Sequence, residues 1–198
     1  MKKVILLFLL FLFSLNTSAQ SIFNTYEKGT IYLRNGNKIE GLVKITNYGG
    51  KIKFKKTSDC EKIVYDEKDV KSLKFRFGDE YIYKITIKNR YIYLLKREIK
   101  GEKLDLYSLE SQSPTLHNGF GGGTYTTYFI GKSNTDFAEK LPNNEKGNKY
   151  RRVISKYVSH CNNFSELIKD KKSLKKNFED KINSITGNII EHYNENCK

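Results

Sequence analysis

The stretch KGTIYLRNGNKIEGLVKI, residues 28–45, decides the fold. Residues 29–33 are β-prone, and Asn35, Gly36 and Asn37 follow as a tight turn, because Asn and Gly accept positive φ. Residues 38–45 read as the return strand, with Ile39, Val43 and Ile45 on one parity. Alternation of this kind marks a strand with one face in a core and one in water.

The same grammar continues outward. Asn47 to Gly50 make the next turn, and residues 51–55 alternate lysine with Ile52 and Phe54. A short strand is expected at 63–65, then a turn or single helical turn at 66–69. Strands are expected at 70–77, 81–88, 91–99, 104–109 and 124–130. Gly78-Asp79 and Asn89-Arg90 are short enough to be hairpin turns. A long loop covers 111–123. Short strands with tight turns predict an antiparallel meander over residues 20–132, curled into a roll or open barrel. Its aromatics include Tyr32, Phe54, Phe75, Phe77, Tyr81, Tyr83, Tyr91, Tyr93, Tyr107, Tyr125, Tyr128 and Phe129. Tyr and Phe pack across strands, which is our first reading of them; a stacking platform for sugars or bases is the alternative.

The pattern changes at the end of the roll. Residues 133–149 are polar, contain Pro142 and read as a linker with a helical turn at 136–141. Residues 150–198 read as a helical C-terminal region. Tyr150, Val153, Ile154, Tyr157 and Val158 form one face of an amphipathic helix. Asn163 with Glu166 fits a capping signature for a second helix. Leu174, Phe178, Ile182 and Ile185 suggest a third, which Gly187 ends before a fourth at 188–196, unless the helix runs through the glycine. The fold class is therefore α+β, a β-meander roll followed by a small helical region.

The first nineteen residues read as a secretory signal peptide. Lys2 and Lys3 precede an apolar run from Val4 to Leu15, and Thr17-Ser18-Ala19 is a small-residue cleavage site. The run is shorter than the about 20 residues that span a bilayer. Cleavage between Ala19 and Gln20 is expected, with export to the periplasm, the outer surface or the medium. No cysteine follows directly, so neither a lipid anchor nor a transmembrane anchor is expected in the mature chain.

The formal charge of +14 falls to +12 once Lys2 and Lys3 leave. Lysine dominates the basic residues; the arginines, which bind phosphate in bidentate fashion, are Arg34, Arg76, Arg90, Arg97, Arg151 and Arg152. We read the excess first as a solvated basic surface, with no nucleic-acid partner after export. The alternative is a binder of anionic envelope polymer or lipid through a lysine-rich face. Of three cysteines, Cys161 and Cys197 bracket helical sequence and are expected to form a disulfide, worth roughly 3–4 kcal/mol in the loop-entropy model. Cys60 is left as the odd thiol.

The catalytic motifs are sparse. The cluster Gly119, Gly121, Gly122 and Gly123 lacks the Lys-Ser/Thr ending of a phosphate loop. His117 has no evident acid partner. His160 beside Cys161 and His192 near Cys197 lack zinc-type spacing. Asp66 with Asp69, and Asp79 with Glu80, are the paired acids a hydrolase would use, but they fall where turns favour Asp. We expect no catalytic, cofactor or metal residues, and a non-enzyme.

Residues 28–43 resemble the opening of a family of uncharacterised exported proteins of Bacteroidetes type. These begin, after a signal peptide, with a Gly-x-Ile-x-Leu-x-Asn-Gly-Asp-x-Ile-x-Gly hairpin and end in a helical region with Cys, Tyr-Asn and Cys. Here Asn37 stands for the usual Asp, and Cys161, Tyr193, Asn194 and Cys197 match the ending. The resemblance implies export and a β-rich body with a helical C-terminus. It implies no activity. Export without a convergent catalytic set leads us to expect a role in binding or envelope structure, with an anionic envelope component or another envelope protein as partner.

Overall fold

Alternating strands bury one face and wet the other, so the architecture follows from where the buried faces meet. The computed structural model describes residues 25–46, 50–112, 124–161, 164–179 and 184–197. Ten strands form one continuous sheet: β1 Glu27–Leu33, β2 Lys38–Ile45, β3 Ile52–Lys55, β4 Ile63–Tyr65, β5 Val70–Phe75, β6 Glu80–Thr86, β7 Ile92–Ile99, β8 Leu104–Gln112, β9 Thr124–Lys132 and β10 Phe137–Lys140. Four helices follow: α1 Asn148–Val158, α2 Phe164–Leu167, α3 Lys171–Phe178 and α4 Ile185–Asn196.

The opening hairpin pairs Ile31 with Ile39 around Gly36, which sits at φ +89°. β1 to β4 are one meander and β5 to β10 a second. The two join because β5 returns to the free side of β1, giving the order β10-β9-β8-β7-β6-β5-β1-β2-β3-β4. The curled half buries Ile31, Val43, Ile52, Phe54, Val70, Leu73 and Phe75 against Tyr81, Tyr83 and Leu94.

The second meander closes on itself, which corrects two expectations. Residues 136–141 hold strand β10, and no helical turn forms there. Phe137 and Ala138 pair in parallel with Ile85 and Thr86, while Glu139 and Lys140 pair antiparallel with Ile130 and Phe129. The segment expected to be a linker thus carries the strand that turns a roll into a closed five-stranded barrel, β6 to β10. Its interior holds Ile82, Leu95, Tyr107, Phe129 and Ala138.

The helices cover the outer wall of β8 and β9. Leu104, Leu106 and Ile130 meet Tyr150, Ile154, Phe164, Leu174, Phe178, Ile189, Ile190 and Tyr193. The boundary between the last two helices differs from expectation. α3 ends at Phe178, and Gly187 lies in the first turn of α4, donating its N–H to the Ser184 cap at 3.0 Å. Cys161 and Cys197 form the disulfide, tying the end of α1 to the chain after α4. The Asn194 carboxamide stitches α4 to the barrel: Oδ1 accepts from Lys103 and Leu104 N–H, and Nδ2 donates to the Leu104 carbonyl at 2.9 Å. No described helix is long and apolar enough to cross a membrane.

Candidate functional site

Register decides which side chains gather. On β1 and β2, and on β5 from Leu73 onward, the residues of odd number face the curled core and their even-numbered neighbours face out; a register shift between Tyr32 and Leu33 puts Val70 in the core as well. Thr30 stands between Glu40 and Lys74 on one rung. On the next, Lys28 stands beside Leu42, and Arg76 continues the β5 side with its N–H donating to the Lys28 carbonyl at 3.0 Å. These side chains, with Lys56, Thr57 and Ser58 from the loop after β3, line a groove of about 710 Å³. Two of its lining residues, Gly29 and Gly41, form a cross-strand pair; a Cβ on either would point to the core side, toward Leu73 and Val43 or against Phe54.

Four of the lining residues are cations: Lys28, Lys56, Lys74 and Arg76. None of the four forms an ion pair among the described residues; Glu40, which also lines the groove, contacts Lys38 at 3.6 Å, and Glu80 on β6 stands opposite Lys74. Like charges facing each other across a sheet are destabilising. Lys28 and Arg76 are held in that relation, with Lys74 two residues further along β5. At the rim, the Thr57 hydroxyl lies 3.1 Å from Cys60 Sγ. Hydrogen bonding from the Thr57 side chain, then from its backbone, lowers the Cys60 thiol below its ordinary value, and Lys56 and Lys55 add to this.

A second cluster of charge lies inside the barrel. The Asp105 carboxylate accepts from Tyr107 Oη at 2.7 Å, Gly101 N–H at 3.0 Å and Ser133 Oγ at 3.1 Å. Arg97 bridges Asp105 at 3.3 Å and Glu80 at 2.9 Å. Lys84 lies 5.0 Å from the centre of the Tyr107 ring and donates to the Thr135 carbonyl. Burial pushes the Lys84 ammonium below its ordinary value, partly offset by Asp105. These groups balance one another's charge and take up most of one another's hydrogen-bonding capacity, with Arg97 Nε left buried and without a partner. Their chemistry is structural.

The other residues singled out in the sequence fall as follows. Asp66 and Asp69 serve the turn before β5: Asp66 Oδ1 accepts from Lys68 N–H at 2.9 Å, and the Asp66 carbonyl accepts from Asp69 N–H. Asp79 pairs with Lys96 at 3.3 Å, and Glu80 with Arg97. Both sulfurs of Cys161 and Cys197 are spent in the disulfide, so they are not thiolate ligands. His160 hydrogen-bonds Tyr193, and the His192 ring packs on Phe164 and Phe178. Among the described residues, no three His, Cys, Asp or Glu side chains gather as a metal site. Of the aromatics, Phe54, Phe75, Tyr81, Tyr83, Tyr107 and Phe129 are core, while Tyr32, Phe77, Tyr91 and Tyr125 are exposed. The signal cleavage site at Ala19 and Gln20, His117 and the glycine cluster at 119–123 lie outside the described residues.

The groove, the Arg97–Asp105 network and the Asn194 stitch were not singled out from sequence. Their signal was present only in part, as lysines at every second strand position. No protein-family model, no curated protein and no solved structure matches this chain. Its site is therefore read from its own residues.

Proposed function

We propose that this is an exported, non-enzymatic binding protein that holds an anionic polymer of the cell envelope in the groove across β2, β1 and β5. One observation carries the reading: Lys28 and Arg76 stand side by side across the sheet, with Arg76 N–H donating to the Lys28 carbonyl, and neither forms an ion pair with an acidic side chain among the described residues. An anionic chain lying in the groove relieves that repulsion, and a groove of about 710 Å³ has room for more than one carboxylate or phosphate. The leader-like first nineteen residues, and the resemblance to exported Bacteroidetes-type proteins, supply the compartment.

The test uses the mature chain and two probes, a polyuronate and a polyphosphate, titrated over a range of salt. Binding weakens as salt rises, because charge-driven contacts are screened. The triple variant Lys28→Ser, Lys74→Ser, Arg76→Ser loses most of the affinity and flattens the salt dependence. Unchanged binding by that variant, or retention indifferent to salt, overturns the groove assignment. Turnover of an envelope polymer or ester by the purified protein overturns the non-enzymatic one. N-terminal sequencing of the exported protein is expected to begin at Gln20.

A further inference from the structure

Closing the barrel sets Phe137, at the start of β10, beside the turn between β6 and β7. Phe137 pairs with Ile85, Ala138 with Thr86, and Ile87 N–H donates to the Ala138 carbonyl at 3.1 Å. The result is a contiguous apolar tip at one end of the barrel. Ile87 is 46% exposed, Tyr91 61%, Ile92 45% and Phe137 39%. Single exposed apolar residues are ordinary, but a contiguous group at a turn marks an interaction surface.

The tip is built rather than slack. The Thr86 hydroxyl donates to the Tyr91 carbonyl at 3.0 Å, and Arg90 N–H donates to the Thr86 carbonyl at 2.9 Å. Arg90 itself sits at φ 60°, the one described non-glycine residue with positive φ. That conformation favours glycine, and strained backbone kept at a non-glycine residue points to a use for its side chain. The Arg90 guanidinium lies 5.6 Å from the centre of the Phe137 ring. Lys88 adds a second exposed cation in the same turn. Asp136, beside Phe137, is the neighbouring acid, and it acts on the buried Lys84.

We propose that this tip docks the protein on an anionic phospholipid surface. Ile87, Tyr91, Ile92 and Phe137 enter the interface, and Arg90 and Lys88 take the phosphates above them. Apolar and aromatic side chains interleaved with cations match the two layers of such a surface, acyl chain below and negative headgroup above. A second copy of the chain fits poorly: two cationic turns would face each other. Four side chains at about half exposure also fall short of the roughly 800 Å² per partner of a stable dimer. The inference does not rest on the polymer groove, which lies on other strands.

The experiment is sedimentation of the mature protein with phosphatidylcholine vesicles, with and without phosphatidylglycerol. The chain has no tryptophan, so Tyr91→Trp places a unique reporter in the tip. Its emission is expected to shift to the blue only with phosphatidylglycerol vesicles. Ile87→Ser with Phe137→Ser is expected to cut binding at least tenfold. Arg90→Gly is expected to cut it about fivefold, near the worth of one basic residue at such a surface, while leaving the urea midpoint unchanged or higher. The groove triple variant is the control and keeps the reporter shift. Wild-type binding by the Ile87→Ser, Phe137→Ser variant, an unshifted reporter, or a dimer that this variant dissolves each overturns the proposal.

Discussion

Asp105 carries more of the barrel than any other single side chain. Its carboxylate is fully buried and collects three hydrogen bonds, from Gly101, Tyr107 and Ser133, besides the Arg97 guanidinium. A buried charge is tolerated only when its partners replace water this completely. Asp105→Ala leaves the Tyr107 hydroxyl without its acceptor and Arg97 with Glu80 alone, and is expected to cost about 3–5 kcal/mol. Asp105→Asn keeps an acceptor oxygen and is expected to lose less. Urea midpoints of the two variants measure both. A cost below about 1 kcal/mol for Asp105→Ala, typical of an exposed ion pair, would mean that water already reaches the network. The sequence offers no sign of this network. Arg97 and Asp105 are simply one charged residue each in two β-prone runs, and only the pairing of Arg97 with Tyr107 brings them together.

At the scale of elements, the decisive one is β10. Nine strands are legible in the sequence because their apolar residues alternate, as in Ile52 and Phe54 or Val43 and Ile45, and because glycine or asparagine turns separate several of them. Phe137-Ala138-Glu139-Lys140 has neither signal. Ala, Glu and Lys are good helix formers, and an Asp precedes them, so local propensity points to a helical turn. Strand geometry is imposed by partners distant in sequence, Ile85 and Thr86 on one side and Phe129 and Ile130 on the other. The groove is illegible for the same reason. Lys74 and Arg76 fall in a run legible as strand, but Lys28 and Lys56 lie just outside the expected strands, and the meeting of the four depends on β5 returning to β1 rather than to β4. Gly131 is the point at which closure can be tested. A Cβ there would come within 2.5 Å of the Phe137 carbonyl oxygen, a backbone atom that cannot swing aside. Gly131→Ala is expected to push β10 off β9 and to destabilise by about 1–3 kcal/mol, in the range of an overpacked core. Hydrogen exchange at the amides of Ile85, Ile87 and Leu141, which donate to or across β10, reports the opening directly. Unchanged protection in a variant of unchanged stability would show that β10 stays paired with a Cβ at residue 131, and would overturn Gly131 as the point of closure.

The whole molecule responds to alkali through its tyrosines. Tyr81 and Tyr83 lie in the curled core, Tyr107 in the barrel, and Tyr150 and Tyr157 on the helix that covers it. Burial, foremost in each, pushes their phenols well above the ordinary value; acids add to it, Asp79 at Tyr81, Glu67 at Tyr83, Asp105 at Tyr107 and Glu139 at Tyr157. A group raised in the fold binds its proton more tightly there than in the unfolded chain. Its stabilisation is complete below the unfolded value of about 10 and is lost as pH rises beyond it. Lys84 has the opposite sign, since burial lowers it, so its share of stability rises with pH up to the ordinary lysine value. One buried lysine opposes these five tyrosines, and Tyr128 and Tyr193, also raised by burial, act on the tyrosines' side. Stability is therefore expected to hold steady to about pH 10 and then fall, by as much as about 1.4 kcal/mol per pH unit for each phenol that ionises only on unfolding. Ultraviolet absorbance of tyrosinate and circular dichroism, followed together from pH 8 to 12, make the check. The two signals are expected to change in one cooperative step, because no core can release its phenols while its packing stands. Tyrosinate appearing at pH 10 with the dichroism intact, in more phenols than the exposed Tyr91 and Tyr125 and their partly exposed neighbours, would show that water reaches the cores without unfolding them.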